Sequence, residues 1–286
     1  MIRLRYLVNL SYEIVDRTAD FLFLVEAART ARQSVVEEEL RLTPAIPVTQ
    51  YTYPDSCNRM LRVQSKRGRL AVRYEAVVEI DHRLDEWKSL HEVPVADLPF
   101  DVLPHLAPSR YCESDRMMEF ALREFGGMQR GYARVYAIRE WARQHMRYLS
   151  HSTNERTSAI DTLVERTGVC RDFAHLMIAV CRALSIPARI SSSLDYGADP
   201  AMGPTDFHAI VEVYLSGGWY LLDPSGVSIP TGLLRIGTGR DAADIPFAAI
   251  FGNVRSERPY IEVEALTDPA AGIEMPLATL KAISTW

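Results

Sequence analysis

The apolar positions along this chain change period twice. Up to about residue 84 they alternate with polar ones in short stretches: "FLFLVEAA", "RQSVVEEELRL", "RMLRVQS" and "RLAVRYEAVVEID". A period of two is the mark of half-buried strands. "SKRG", between the last two, has the make-up of a hairpin turn, with Gly68 free to take positive φ. Strand and turn repeated at this spacing predict a small all-β sandwich. From Leu84 to Tyr111 the alternation lapses. Pro94, Pro99, Pro104 and Pro108 break this part into an extended linker laid over a surface.

A helical period follows. "DRMMEFALREFGG" is predicted as a helix capped by Ser114 and ended by two glycines. "YARVYAIREWARQHMRYL" lines Val135, Ile138, Ala142, His145 and Leu149 along one stripe, an amphipathic helix. In "TSAIDTLVERTG", Ser158 with Asp161 three residues on resembles a capping box, and Gly168 is the predicted stop. "CRDFAHLMIAVCRALS" is a further helix, ending before Ile186-Pro187. The period then returns to two in "ARISSSL", "FHAIVEVYL" and "WYLLD", the last two joined by "SGG", a hairpin signal. Helices first and an antiparallel sheet afterwards make an α+β region. The expected organisation is therefore a β-sandwich accessory domain over 1–84, a proline-rich linker over 85–110 and a catalytic domain over 111–286.

Composition narrows the partners. A chain of 286 residues can bury a real core. Its net charge of −5 supplies no basic field for nucleic acid. No apolar run approaches the ~20 residues of a membrane helix. The opening "MIRLRYLVNLSYEIVDR" lacks the features of a signal peptide. Cys57, Cys112, Cys170 and Cys181 are too sparse for a disulfide scaffold, so free thiols in a reducing cytoplasm are expected.

Cys170 carries the candidate chemistry. Cys181, among Ala179, Val180 and Leu184, reads as a core residue, and Cys57 and Cys112 as structural. A metal held by Cys170, His175 and Cys181 fails on helix geometry. His175 points about 140° away from Cys170, and Cys181 lies ~16 Å along the axis. One ion with ~2.3 Å bonds cannot collect them. A nucleophile fits better. Gly168 ends one helix, so Cys170 falls in the first turn of the next, where free N–H groups and the helix dipole favour a thiolate. Arg171 adds to that field and Asp172 opposes it. The base is then expected to be His208, at the start of "FHAIVEVYL", and its orienting group Asp223, at the end of "WYLLDPS". His175 is left as a packing histidine.

Register arithmetic resists this pairing. With Gly217-Gly218 as a two-residue turn, His208 falls opposite position 227, and the four-residue offset from Asp223 is ~13 Å. A three-residue turn brings the offset to about 10 Å, but with the two side chains on opposite faces. A bulge between Asp206 and Glu212 is the expected remedy.

"DTLVERTGVCRDFAHLMIAVCRALSIPARI" and "DFHAIVEVYLSGGWYLLDPS" resemble the transglutaminase-like superfamily, and in particular its bacterial cysteine proteases. "APSRYCESDR" and "RIGTGRDAADIPFAAIFG" extend the resemblance, and the first 84 residues look like the accessory β domain of those proteins. The resemblance implies a papain-like α+β core with Cys170 as nucleophile, His208 as general base and acid, and Asp223 orienting His208. It implies acyl-thioester chemistry on a peptide or protein amide; no cofactor is expected, and with no twelve-residue calcium loop in the sequence no metal is expected either. Hydrolysis is the expected outcome. Cross-linking by transfer to an amine, or a silent scaffold, are the alternatives. The Cys170 N–H is one expected oxyanion donor, with Trp141, Tyr111 or Asn154 as the second. "GRDAAD" is either a substrate contact through Arg240 or Asp241, or a solvated turn with an internal ion pair.

Overall fold

The computed structural model describes residues 1–197 and 205–286. In chain order the β elements of the first part are β1 (Ile2–Phe23), β2 (Gln33–Thr43), β3 (Val48–Thr52), β4 (Arg59–Ile80) and β5 (Arg83–Asp85). Then come α1 (Met118–Phe125), α2 (Tyr132–His145), β6 (Arg147–Tyr148), α3 (Ala159–Glu165), β7 (Thr167–Gly168) and α4 (Cys170–Ala183). The remainder is β8 (Ala188–Asp195), β9 (Phe207–Leu215), β10 (Gly218–Leu222), β11 (Leu233–Gly239), β12 (Ala248–Phe251), β13 (Val254–Ser256), β14 (Tyr260–Leu266) and β15 (Ala282–Ser284). The fold is α+β, with an all-β N-terminal region.

That region is built on two long strands. The expected hairpin at "SKRG" does not form; β4 runs through it, paired with β1 on both sides. What marks the spot is a bulge: Ile14 lies opposite Gly68 and Thr18 opposite Lys66, so three residues of β1 face one of β4. Gly68 takes φ +118°, which only glycine adopts without strain. The bulge also switches the buried parity of β1, from the even positions Ile2 to Ile14 to Ala19, Phe21 and Phe23. The strand folds over at this bend. Tyr12 and Phe21 would be about 30 Å apart on a straight strand, yet their ring centroids are 5.2 Å apart. The two halves of one seven-stranded sheet therefore face each other across a shared core. β12, β13 and β14 all pair with β1, so residues from both parts of the chain complete this sheet.

The second sheet runs β11-β8-β9-β10-β15-β5, antiparallel throughout, with α4 packed against β8 and β9. Its edge strand β5 comes from the start of the proline-rich stretch. The rest of that stretch lies over the sheet, with Leu98 and Val102 buried against Tyr214 and Trp219.

Three helix ends differ from expectation. Ser114 heads a short 3-10 turn, and α1 begins without a side-chain cap. α2 stops at His145 because Met146 turns extended; Leu149 is exposed and belongs to no helical stripe. α3 has its capping box, with Ser158 N–H donating to Asp161 Oδ2 at 2.9 Å. It stops at Arg166, in the left-handed region, and not at Gly168. Glycine at 168 answers a packing need: a Cβ there would lie 2.7 Å from that of Asp172. Among the described residues no helix is long and apolar enough to cross a membrane. All four cysteines are free thiols.

Candidate active site

Cys170 occupies the first turn of α4 and is partly exposed. The residue at the N-cap is Val169, which has no acceptor to offer the first-turn N–H groups. Only the reciprocal half of a capping box exists: Val169 N–H donates to Asp172 Oδ2 at 2.9 Å. The Asp172 N–H turns back to the Val169 carbonyl at 2.9 Å, and Val169 leaves the N–H groups beside the sulfur without a side-chain cap at the positive end of the dipole. Asp172 and Arg171, whose charges act in opposite senses on this field, pair with each other at 3.0 Å. Asp172 is fully buried and accepts the Thr153 hydroxyl at 2.6 Å.

His208 and Asp223 come together without the expected bulge. β9 pairs with β8 and β10 in unbroken register. The difference lies in the turn, which is Ser216-Gly217, with φ of +47° and +83°. Two central residues in the left-handed region make the hairpin turn that suits strand twist. Moving the turn back by one residue puts His208 opposite position 225. Asp223 is then two residues away on the same face, a diagonal neighbour. His208 Nε2 lies 3.3 Å from Asp223 Oδ2.

Asp223 is held firmly. Its Oδ1 accepts the Ser225 N–H at 2.9 Å and the Ser225 hydroxyl at 2.6 Å. Its Oδ2 accepts the Ser228 N–H at 3.0 Å and hydroxyl at 2.7 Å. Burial alone would raise this carboxyl, but His208 and the serine donors outweigh it and hold it below the usual carboxylate range. Burial likewise opposes a charge on His208. The Asp223 carboxylate, then hydrogen bonds to Asp223 and Cys170, reverse the balance and hold the imidazole well above its ordinary value. The imidazole and the carboxylate are thus paired, and Cys170 is near enough to act on the imidazole.

Family models match on both sides of the chain: "Transglutaminase-like superfamily" over residues 120–224 and "Bacterial transglutaminase, N-terminal domain" over residues 2–101. A solved structure from Cytophaga hutchinsonii, described as a "putative cysteine protease", is 37% identical, with TM-score 0.91 over 100% of this chain and 98% of that one. The chain belongs to the transglutaminase-like superfamily. An uncharacterized protein of Mycobacterium leprae is 29% identical over 234 residues, 77% of this chain and 82% of that protein. One from Mycobacterium tuberculosis is 31% identical over 136 residues, 44% of this chain and 43% of its own length. The superfamily core match contains Cys170, His208 and, next to its last residue, Asp223.

Other sequence candidates lie elsewhere. His175 is buried, stacked on Tyr111 at 5.0 Å, and its Nε2 accepts the Ala242 N–H at 3.2 Å. Burial pushes it down to about 4, so it is a neutral packing histidine. Trp141 is enclosed by Phe120, His145 and the Arg166 guanidinium. The Tyr111 hydroxyl donates to the Glu155 carbonyl, and Asn154 Oδ1 accepts the Arg156 N–H. Among the described residues none of the three makes a hydrogen bond to Cys170. Arg240 pairs with Asp244 at 2.9 Å, and Asp241 Oδ2 accepts the Tyr111 N–H, so "GRDAAD" is a turn with an internal ion pair. A cavity of 560 Å³ between α2, β10 and residues 278–283 has Asp223 in its wall, but neither Cys170 nor His208 lines it.

Two residues near the sulfur and the imidazole had no sequence signal. Tyr148 lies beside Cys170, with its hydroxyl at the Cys170 backbone N–H. Asp195 follows Ser193, which is directly opposite His208, and so shares the His208 face on the side away from Asp223. It is 4% exposed, and neither carboxylate oxygen has a partner among the described residues. Burial pushes its carboxyl up to about 7, with His208 pulling it down and Asp223 pushing it up. A raised carboxyl pKa costs stability as pH rises through that range, and costs nothing in acid. Asp195→Asn is therefore expected to stabilise the fold at pH 8, by up to about 4 kcal/mol, and to leave it unchanged at pH 3. Thermal melts at the two pH values check this. Destabilisation at pH 8 would mean that the carboxylate has a counter-charge.

Proposed function

We propose that this chain is a cysteine enzyme that cleaves an amide bond in a peptide or protein through an acyl-thioester. Cys170 is the nucleophile, His208 the general base and acid, and Asp223 the residue that orients His208. The observation that carries this reading is His208 held 3.3 Å from a carboxylate that is itself fixed by two serines, beside a thiol in the first turn of a helix. The Cys170 sulfur bonds to the amide carbonyl carbon. The C–N bond then breaks, and His208 gives its proton to the leaving amine. Water attacks the thioester, His208 takes a proton from it, and the C–S bond breaks to release the acid. Hydrolysis is preferred over transfer because the 37% identical relative bears a protease description.

The test needs no natural substrate. At pH 6 iodoacetamide should modify Cys170 faster than Cys57, Cys112 or Cys181, as read by peptide mass spectrometry. Cys112 and Cys181 are fully buried, and burial pushes the Cys181 thiol up to about 12 and raises that of Cys112. His208→Ala should slow the Cys170 reaction at least about tenfold, since the imidazolium partner is gone. Indifference of Cys170 to that substitution would reduce the helix end to scaffold. A screen of peptide amides then separates outcomes: new carboxylates mean hydrolysis, and γ-glutamyl-lysine links mean transfer.

A further inference from the structure

We propose that Tyr148 is a catalytic residue of this site, its hydroxyl joining the Cys170 backbone N–H to hold the oxygen that turns negative when the sulfur attacks. The inference rests on the function proposed above. Its ground is the way Tyr148 is placed. β6 and β7 are a parallel bridge of two residues each, Arg147 opposite Thr167 and Tyr148 opposite Gly168. Leu149 N–H donates to the Gly168 carbonyl at 2.9 Å, and Arg147 N–H to the Arg166 carbonyl at 2.9 Å. The bridge ties the end of α2 to the turn that delivers Cys170, two residues after Gly168. The Tyr148 ring lies against Phe173, one turn along α4, with centroids 6.1 Å apart. Its hydroxyl is thereby brought to the Cys170 N–H.

The chemistry suits a donor. A phenol oxygen beside an N–H accepts from it and keeps its own proton to give. Among the described residues nothing accepts that proton. Burial first, and then the neighbouring Cys170, push this phenol up to about 12, so it remains an O–H at any working pH. A carbonyl oxygen arriving at the sulfur displaces the phenol from the N–H and takes a bond from each. One fixed N–H and one side-chain O–H are the two donors an acyl-transfer site requires.

Tyr148→Phe separates this role from packing, because Phe keeps the ring on Phe173. The full-length protein would be treated with p-nitrophenyl acetate, which builds an oxyanion on the way to the acetyl-thioester, and separately with iodoacetamide, which does not. The ratio of acetylation to alkylation rates at Cys170 should fall on the order of 10²-fold in the variant. An equal fall in both rates would make Tyr148 a structural support only. An unchanged or raised ratio would also overturn the proposal, the raised one meaning that the phenol blocks the site. Failure of the parent reading looks different: wild-type Cys170 would then be alkylated but never acetylated, and the inference would go with it.

Discussion

Asp223→Asn is expected to slow amide turnover by about 10⁴-fold, the loss that follows when the carboxylate of such a triad loses its charge. The substitution is isosteric, yet it cannot be silent. Each oxygen of Asp223 takes a backbone N–H, Oδ1 from Ser225 and Oδ2 from Ser228. An asparagine has one acceptor oxygen, so its amide nitrogen must face one of those donors. That leaves a buried N–H unpaired, at about 1–3 kcal/mol. The charge that opposes the desolvation of His208 is lost as well, so the imidazole falls back from its raised value.

The same pair sets a pH window. The raised His208 contributes stability below its ordinary 6.5 and loses it as pH rises through the folded value. The depressed Asp223 contributes above its ordinary 3.8 and loses it as pH falls. Both contributions are complete between those values. The gap in unfolding free energy between wild type and Asp223→Asn should therefore be widest from about pH 4 to 6.5. Urea melts across pH, beside kcat/KM on a cleaved peptide amide, measure the two effects. A lowered Tm with unchanged kcat/KM would make Asp223 part of the scaffold.

The residues of the site were easier to read from sequence than the distances between them. A cysteine just past a helix stop and a histidine and aspartate at strand ends are local patterns. The register that joins His208 to Asp223 turns on one residue of a hairpin. "SGG" holds two adjacent two-residue turns, and composition favours Gly-Gly. The chain instead places Ser216 at φ +47°, which shifts every pairing and makes a bulge unnecessary. Gly68 misled in a similar way, since a hairpin and a bent strand share the same alternation and the same glycine. Tyr148 and the strands over residues 248–266 left no trace at all. Their partners are distant in sequence, and a two-residue bridge or an edge pairing has no period to detect.

Glu212→Ala is expected to destabilise the fold by about 3–5 kcal/mol, although residue 212 touches none of the proposed chemistry. Glu212 is fully buried on the central strand β9. Its Oε2 accepts Arg189 Nε at 2.7 Å from directly across on β8, and its Oε1 pairs with Arg235 on β11. Burial opposes its charge, and Arg235 and then Arg189 overcome this and hold the carboxyl below its ordinary range. One carboxylate thus serves two buried guanidinium groups. The excess charge rests on aromatic faces: Arg189 lies 4.0 Å from the Trp219 centroid and 4.7 Å from that of Trp286, and Arg235 lies 5.0 Å from Trp286. Without Glu212 both cations would stay in a low-dielectric site with π faces alone. The damage would travel, because the backbone of Arg235 exchanges hydrogen bonds with Gln33 and so joins this sheet to the N-terminal region. Since a depressed carboxyl stabilises above its ordinary 4.5 and ceases to as pH falls, the penalty should shrink in acid. Replacing all three charged residues by apolar ones of similar volume should recover much of the loss. Urea midpoints for the single and triple variants at pH 7 and pH 4 provide the measurement. A triple variant no more stable than Glu212→Ala would show that the pairs themselves, and not the stranded charges, hold these strands together.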